Sequence, residues 1–80
     1  MNKDINRIKV VLADKKRTNK WLAEQLGKDP GTVSTWCTNT MQPNLETLVE
    51  IAKCLDVEPM DLLRPIKWTV FSYDNLRLHN

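Results

Sequence analysis

The tightest constraint in this sequence of 80 residues lies between Asn19 and Trp36, where two short helical patterns meet at a turn. Leu22, Ala23 and Leu26 mark the inner face of the first pattern, and Val33 and Trp36, three apart, that of the second. Gly27 stands where the first pattern ends, the position at which a left-handed backbone costs glycine least. Ala23 is small enough to let two backbones approach closely. Helices joined this tightly cross at roughly 90–120°, and the second is held out from the body like a probe.

The remaining residues supply helices around that pair. Ile5, Ile8, Val11 and Leu12 recur at helical spacing, which predicts a first helix over residues 3–15. Thr18 is placed to cap the second helix, and Asp29 the third, with Pro30 at its first position, where a missing N–H costs nothing. Asn39, in the polar connection that follows, tolerates a positive φ. Asn44 caps a fourth helix with a core face of Leu45, Leu48, Ile51, Ala52 and Leu55. Pro59 opens a fifth, short helix over residues 59–64, which Pro65 stops. The expected fold is all-α, a compact five-helix domain over residues 3–64 followed by a tail at 65–80.

That tail reads differently. Ile66, Trp68 and Val70 fall on one side of a period-2 pattern within a β-branched and aromatic run over residues 66–73. A lone strand needs a partner for its backbone groups, and nothing else in the chain reads as one. Two tails pairing across a dimer axis would supply it. A tail folded back onto its own helices is the other reading.

Several function classes are excluded. Cys37 and Cys54 are widely separated and the single histidine, His79, is next to last, so Cys and His cannot make a four-ligand zinc site. Both cysteines are expected as reduced thiols, and Cys37 as a small half-buried one. No apolar run approaches the ~20 residues needed to cross a bilayer, and no secretory signal pattern appears, so a cytoplasmic protein is expected. There is no glycine-rich phosphate loop, no histidine beside a nucleophile and no paired carboxylates on one helical face, so catalysis and cofactors have no foothold. Asp56, Glu58 and Asp61 suit the start of a helix instead. The net charge of +2 conceals two poles: residues 1–28 hold eight Lys/Arg against three Asp/Glu, and residues 29–80 four against seven. A basic first third implies an anionic partner.

Across residues 5–64, about three quarters of the chain, the sequence resembles the lambda-repressor-like helix-turn-helix family, the Cro/cI or XRE type. The resemblance is carried by Thr18, Asn19, Leu22, Ala23, Leu26 and Gly27, then Thr32, Val33, Ser34 and Trp36. Gln42, Pro43, Leu45, Glu46, Thr47, Leu48, Ile51, Ala52 and Leu55 extend it. It implies a bacterial or phage regulator that binds double-stranded DNA as a homodimer, with the third helix (29–38) of each copy in a major groove about one helical turn (~34 Å) apart. It also implies that Thr18 and Asn19 contact phosphates at the start of the second helix. Thr38 and Asn39 would approach the backbone on the other side, with Thr32 near the phosphates. Base reading would fall to Pro30, Gly31, Ser34 and Thr35.

None of those four is Arg, Lys, Asn or Gln, the residues that pair bidentately with guanine or adenine, so specificity leans on backbone fit and DNA shape. Lys15, Lys16, Arg17 and Lys20 form either a solvated connector or a phosphate clamp. Lys28 is either a phosphate contact at the turn or a snorkelling surface lysine. Trp36 is expected in the core. Trp21 either covers a gap beside the first helix or the tail, or makes an exposed contact. The sequence thus reads as a dimeric transcriptional repressor, with Ile66, Trp68 and Val70 as candidate dimer interface. The alternative is an antitoxin-like or accessory protein-interaction module in which DNA binding is weak or autoregulatory.

Overall fold

α-Helices two to four each begin at a side-chain cap, all four α-helices end at or next to a left-handed residue, and these punctuation marks set the architecture. The computed structural model describes residues 4–65. It contains α1 (Ile8–Asp14), α2 (Asn19–Leu26), α3 (Pro30–Cys37) and α4 (Leu45–Leu55), then a 3-10 turn at Pro59–Leu62. The Thr18 hydroxyl accepts from the Trp21 N–H at 3.0 Å, Asp29 from Gly31 at 2.8 Å and Asn44 from Thr47 at 2.8 Å. Each satisfies one of the donors that a helix start leaves free.

At the other ends the backbone turns left-handed at Lys16 (φ 58°), Gly27 (φ 65°), Asn39 (φ 60°) and Asp56 (φ 57°). The following N–H reaches back to close the turn in every case: Arg17 to Leu12, Lys28 to Ala23, Thr40 to Thr35 and Val57 to Ala52. This is the Schellman arrangement. One of the four positions is glycine, so three side chains hold a conformation that glycine adopts more cheaply.

Ile8, Leu22, Val33, Ile51 and Leu62 are fully buried, with Leu12, Ala23, Leu55 and Trp36 around them. Every described helix therefore contributes to a single core. α2 and α3 pack against each other, α1 lies against α3, and α4 against α2 and the 3-10 turn.

Three expectations are corrected. The first helix starts at Ile8 instead of residue 3, because residues 4–7 are non-helical and Asn6 bridges to Leu63. Their backbone is recruited elsewhere: Arg7 N–H donates to the Leu62 carbonyl (2.9 Å) and Arg64 N–H to that of Ile5 (2.7 Å), around an antiparallel Asn6–Leu63 bridge. Ile5 is left 43% exposed, outside the core. The last helix is a four-residue 3-10 turn for the same reason, since Leu63 and Arg64 already pair with this N-terminal segment. The described chain thus has four α-helices and a 3-10 turn where five helices are expected. Leu45, placed on the core face of α4 by periodicity, is 80% exposed, because α4 begins before it reaches the core. The strand-like run at 66–73, with Ile66, Trp68 and Val70, lies outside the described residues.

Candidate nucleic-acid interface

α3 shows two unlike faces. Val33, Trp36 and Cys37 are buried, while Pro30, Gly31, Thr32, Ser34 and Thr38 are exposed and Thr35 is half-buried. The small side chains on the outer face leave the helix backbone open to close approach. The start of α3 is closed by Asp29, whose carboxylate holds the Gly31 N–H. A Cβ on Gly31 would lie 2.7 Å from that same Asp29 oxygen, so glycine and cap are matched to each other.

The hydroxyls of the outer face are partly committed. Thr35 Oγ1 donates to the Thr32 carbonyl at 2.6 Å. Thr38 Oγ1 lies within bonding distance of the Ser34 and Thr35 carbonyls and of Thr40 Oγ1 (2.8 Å). Thr18, in contrast, uses its oxygen as an acceptor for its cap, which leaves the O–H to donate outward.

Asn19, first residue of α2, is half-buried and aimed by a neighbour. The Cys37 thiol donates to Asn19 Oδ1 at 3.3 Å. With its oxygen engaged by Cys37, the amide keeps the NH2 as its donor group. Burial pushes the Cys37 thiol above its ordinary range, while Lys9 pulls the other way, so the group stays protonated as a donor.

Lys16, Arg17, Lys20 and Lys28 are all exposed. Among the described residues the ion pairs are Arg64–Asp4 (3.1 Å) and Lys53–Glu50 (4.0 Å), and none of them involves Lys16, Arg17, Lys20 or Lys28. The Arg17 guanidinium stacks 4.4 Å from the Trp21 ring centre, and Trp21 is itself half-buried against the core. Trp21 therefore packs, and its outer face holds Arg17 in place.

Asn39 has another occupation. Its Oδ1 accepts from the N–H groups of Ile5 and Asn6 (both 2.9 Å) and from Gln42 Nε2 (3.0 Å). Its Nδ2 donates to the Asn6 carbonyl (3.0 Å) and to Asp4 Oδ1 (3.1 Å). Buried Asn6 completes the network, donating to the Trp36 carbonyl (2.9 Å) and Gln42 Oε1 (2.7 Å) and capping Ile8 N–H (3.0 Å). Nothing in the amide of Asn39 is left for a phosphate; it ties the end of α3 to the N-terminal segment. Periodicity carries no trace of this hub. The asparagine at a left-handed position was its one visible sign.

The two-helix unit combines a tight glycine turn, a small-residue outer helix and exposed cations that form no ion pair among the described residues. The Cro/C1-type HTH DNA-binding domain matches residues 7–67. This chain belongs to that family. A solved structure of a candidate DNA-binding protein from Bacteroides fragilis is 57% identical over 75% of this chain and 97% of that one, with a TM-score of 0.74. No curated protein matches. Membership of the Cro/C1-type family makes duplex DNA the expected ligand of the α2–α3 unit. No described helix is long and apolar enough to cross a membrane.

Proposed function

We propose that this chain is a sequence-specific DNA-binding repressor of the cytoplasm that grips duplex DNA as a homodimer, each copy laying α3 in a major groove. The observation that supports this reading is the basic edge of the α2–α3 unit: Lys16, Arg17, Lys20 and Lys28 are exposed and form no ion pair among the described residues, and Thr18 and Asn19 keep donors beside them. Contacts of this type fix register on phosphates, and the helix between them is left to choose sequence. Thr32 and Thr38 add hydroxyls at the two ends of α3, and Pro30, Gly31, Ser34 and Thr35 form the surface that meets base edges. The tail residues Ile66, Trp68 and Val70 are the proposed dimer contact.

Selection of bound fragments from a random duplex pool at physiological salt tests the reading. A two-fold symmetric site with half-sites about one helical turn (~34 Å) apart is the expected result. Binding without any enriched site, lost steeply as salt rises, would overturn sequence-specific repression. A version ending at Arg64 is expected to be monomeric and weak on the selected site. Its persistence as a dimer would overturn the role of the tail.

A further inference from the structure

Next to the outer face of α3 lies an open cleft of about 420 Å³, lined by Gly31, Thr32, Thr35, Met41 and Gln42, with Asp29 at its edge. Met41 lies beyond α3, outside the helix-turn-helix, yet it is fastened to it: its backbone N–H donates to the Thr35 carbonyl at 3.2 Å. Its side chain remains 61% exposed. A flexible, polarisable thioether is thereby fixed at its root beside a residue of the proposed reading surface, with its tip open to solvent.

The polar chemistry of the cleft is one-sided. The Thr35 hydroxyl hydrogen is spent on the Thr32 carbonyl, so Oγ1 offers lone pairs. Asp29 offers a carboxylate. Among the described residues no lysine or arginine lines the cleft, so the donors that read guanine O6 and N7 are missing there. The Thr32 hydroxyl, which can donate or accept, also lines the cleft, but the polar group fixed beside the Met41 tip is the Thr35 acceptor. In the major groove an A·T pair presents the complement of that pair of groups: an amino donor on adenine and a methyl on thymine. Cytosine shares the amino donor but has no methyl.

We propose that Met41 is a base-reading residue, and that with Thr35 it selects an A·T pair by contacting the thymine methyl while Thr35 Oγ1 accepts from the adenine amino group. This deepens the proposed DNA-binding function and rests on it.

The test replaces each thymine of the selected site with deoxyuridine, which removes the methyl alone, and measures affinity for the full chain and for Met41→Ala. At one thymine in each half-site the unaltered protein is expected to bind about fourfold more weakly, the worth of one buried methyl group. Met41→Ala, at an exposed position, is expected to fold normally by circular dichroism and to bind thymine and uracil sites equally. An unchanged thymine preference in Met41→Ala, with Lys20→Ala still weakening binding, would overturn the inference and leave DNA recognition standing. A chain that prefers no duplex over random DNA would overturn both.

Discussion

Two polar regions flank α3, and they treat their hydrogen-bonding capacity in opposite ways. At the C-terminal end lies the network around buried Asn6 and Asn39, in which the Asn39 amide alone makes five hydrogen bonds. In the basic stretch at residues 16–20, Lys16, Arg17 and Lys20 are exposed and form no ion pair among the described residues. Each holds residues expected from the sequence to contact phosphate, Asn39 in the first and Lys16, Arg17, Thr18, Asn19 and Lys20 in the second. Burial separates them: a buried polar group must find partners inside the fold, whereas an exposed one keeps its capacity for a ligand. Stability should therefore respond to one region and DNA binding to the other.

The largest effect is expected from Asn39→Ala. It strands the Ile5 and Asn6 N–H groups and the Asn6 carbonyl, at about 1–3 kcal/mol for each group that stays dry. A loss of about 3 kcal/mol or more in urea unfolding is expected. Asn39→Gly suits the backbone at φ 60° but should recover little of it, since the amide carries the network. A loss below about 1 kcal/mol for either variant would break the contrast between the two regions.

Lys20→Ala should do the reverse. Thermal stability is expected to hold, while the slope of log affinity against log salt falls by about 1, the signature of one phosphate contact. An unaltered slope would remove Lys20 from the interface.

Cys37→Ala sits between the two regions, because the thiol is buried but acts through Asn19. Loss of its hydrogen bond frees the amide to rotate and is expected to weaken DNA binding by about 0.5–1.5 kcal/mol. Cys37→Ser, which restores a donor, should recover most of that affinity. In an Asn19→Ala background neither change should matter further. If Cys37→Ala weakens binding equally in that background, the thiol serves packing alone.

The smallest effect belongs to the helix ends. Asp56→Gly is expected to raise stability by about 0.5–1 kcal/mol, by relieving a left-handed aspartate, with no change in DNA affinity. Lys16→Gly should gain similarly in stability but lose affinity if Lys16 touches phosphate. Calorimetry and a binding titration on the same samples compare the two directly.

Local chemistry made much of this readable. The caps at Thr18, Asp29 and Asn44, the turn at Gly27 and the inward pair Val33 and Trp36 each follow from a side chain acting within four residues of itself. What was hidden depends on distant partners. Ile5 continues the helical period of Ile8 and Leu12, yet its backbone N–H answers to Asn39, 34 positions away. Leu45 keeps the period of α4 but lies before the point where α4 meets the core. Lys16 and Asp56 turn left-handed with side chains that give no warning, because the closing hydrogen bonds involve backbone alone. For the interface, residue type identified the cations around α3, whereas the occupations of Asn39 and Arg17 emerged only from the packed structure.

The pairing of residues 5–7 with 62–64 also has a mechanical meaning. Because the two segments are antiparallel, Asp4 and Arg64 mark the same end of the ladder. A load applied at Asp4 and Arg64 pulls the ladder open like a zipper. The Asp4–Arg64 ion pair would part first, then the Arg64–Ile5 bond, then Arg7–Leu62, each separately and not all in shear. Beneath them the Asn39 amide grips two successive N–H groups of the peeled segment. That amide is the latch at which such unzipping would stall before force reaches α1 and the core.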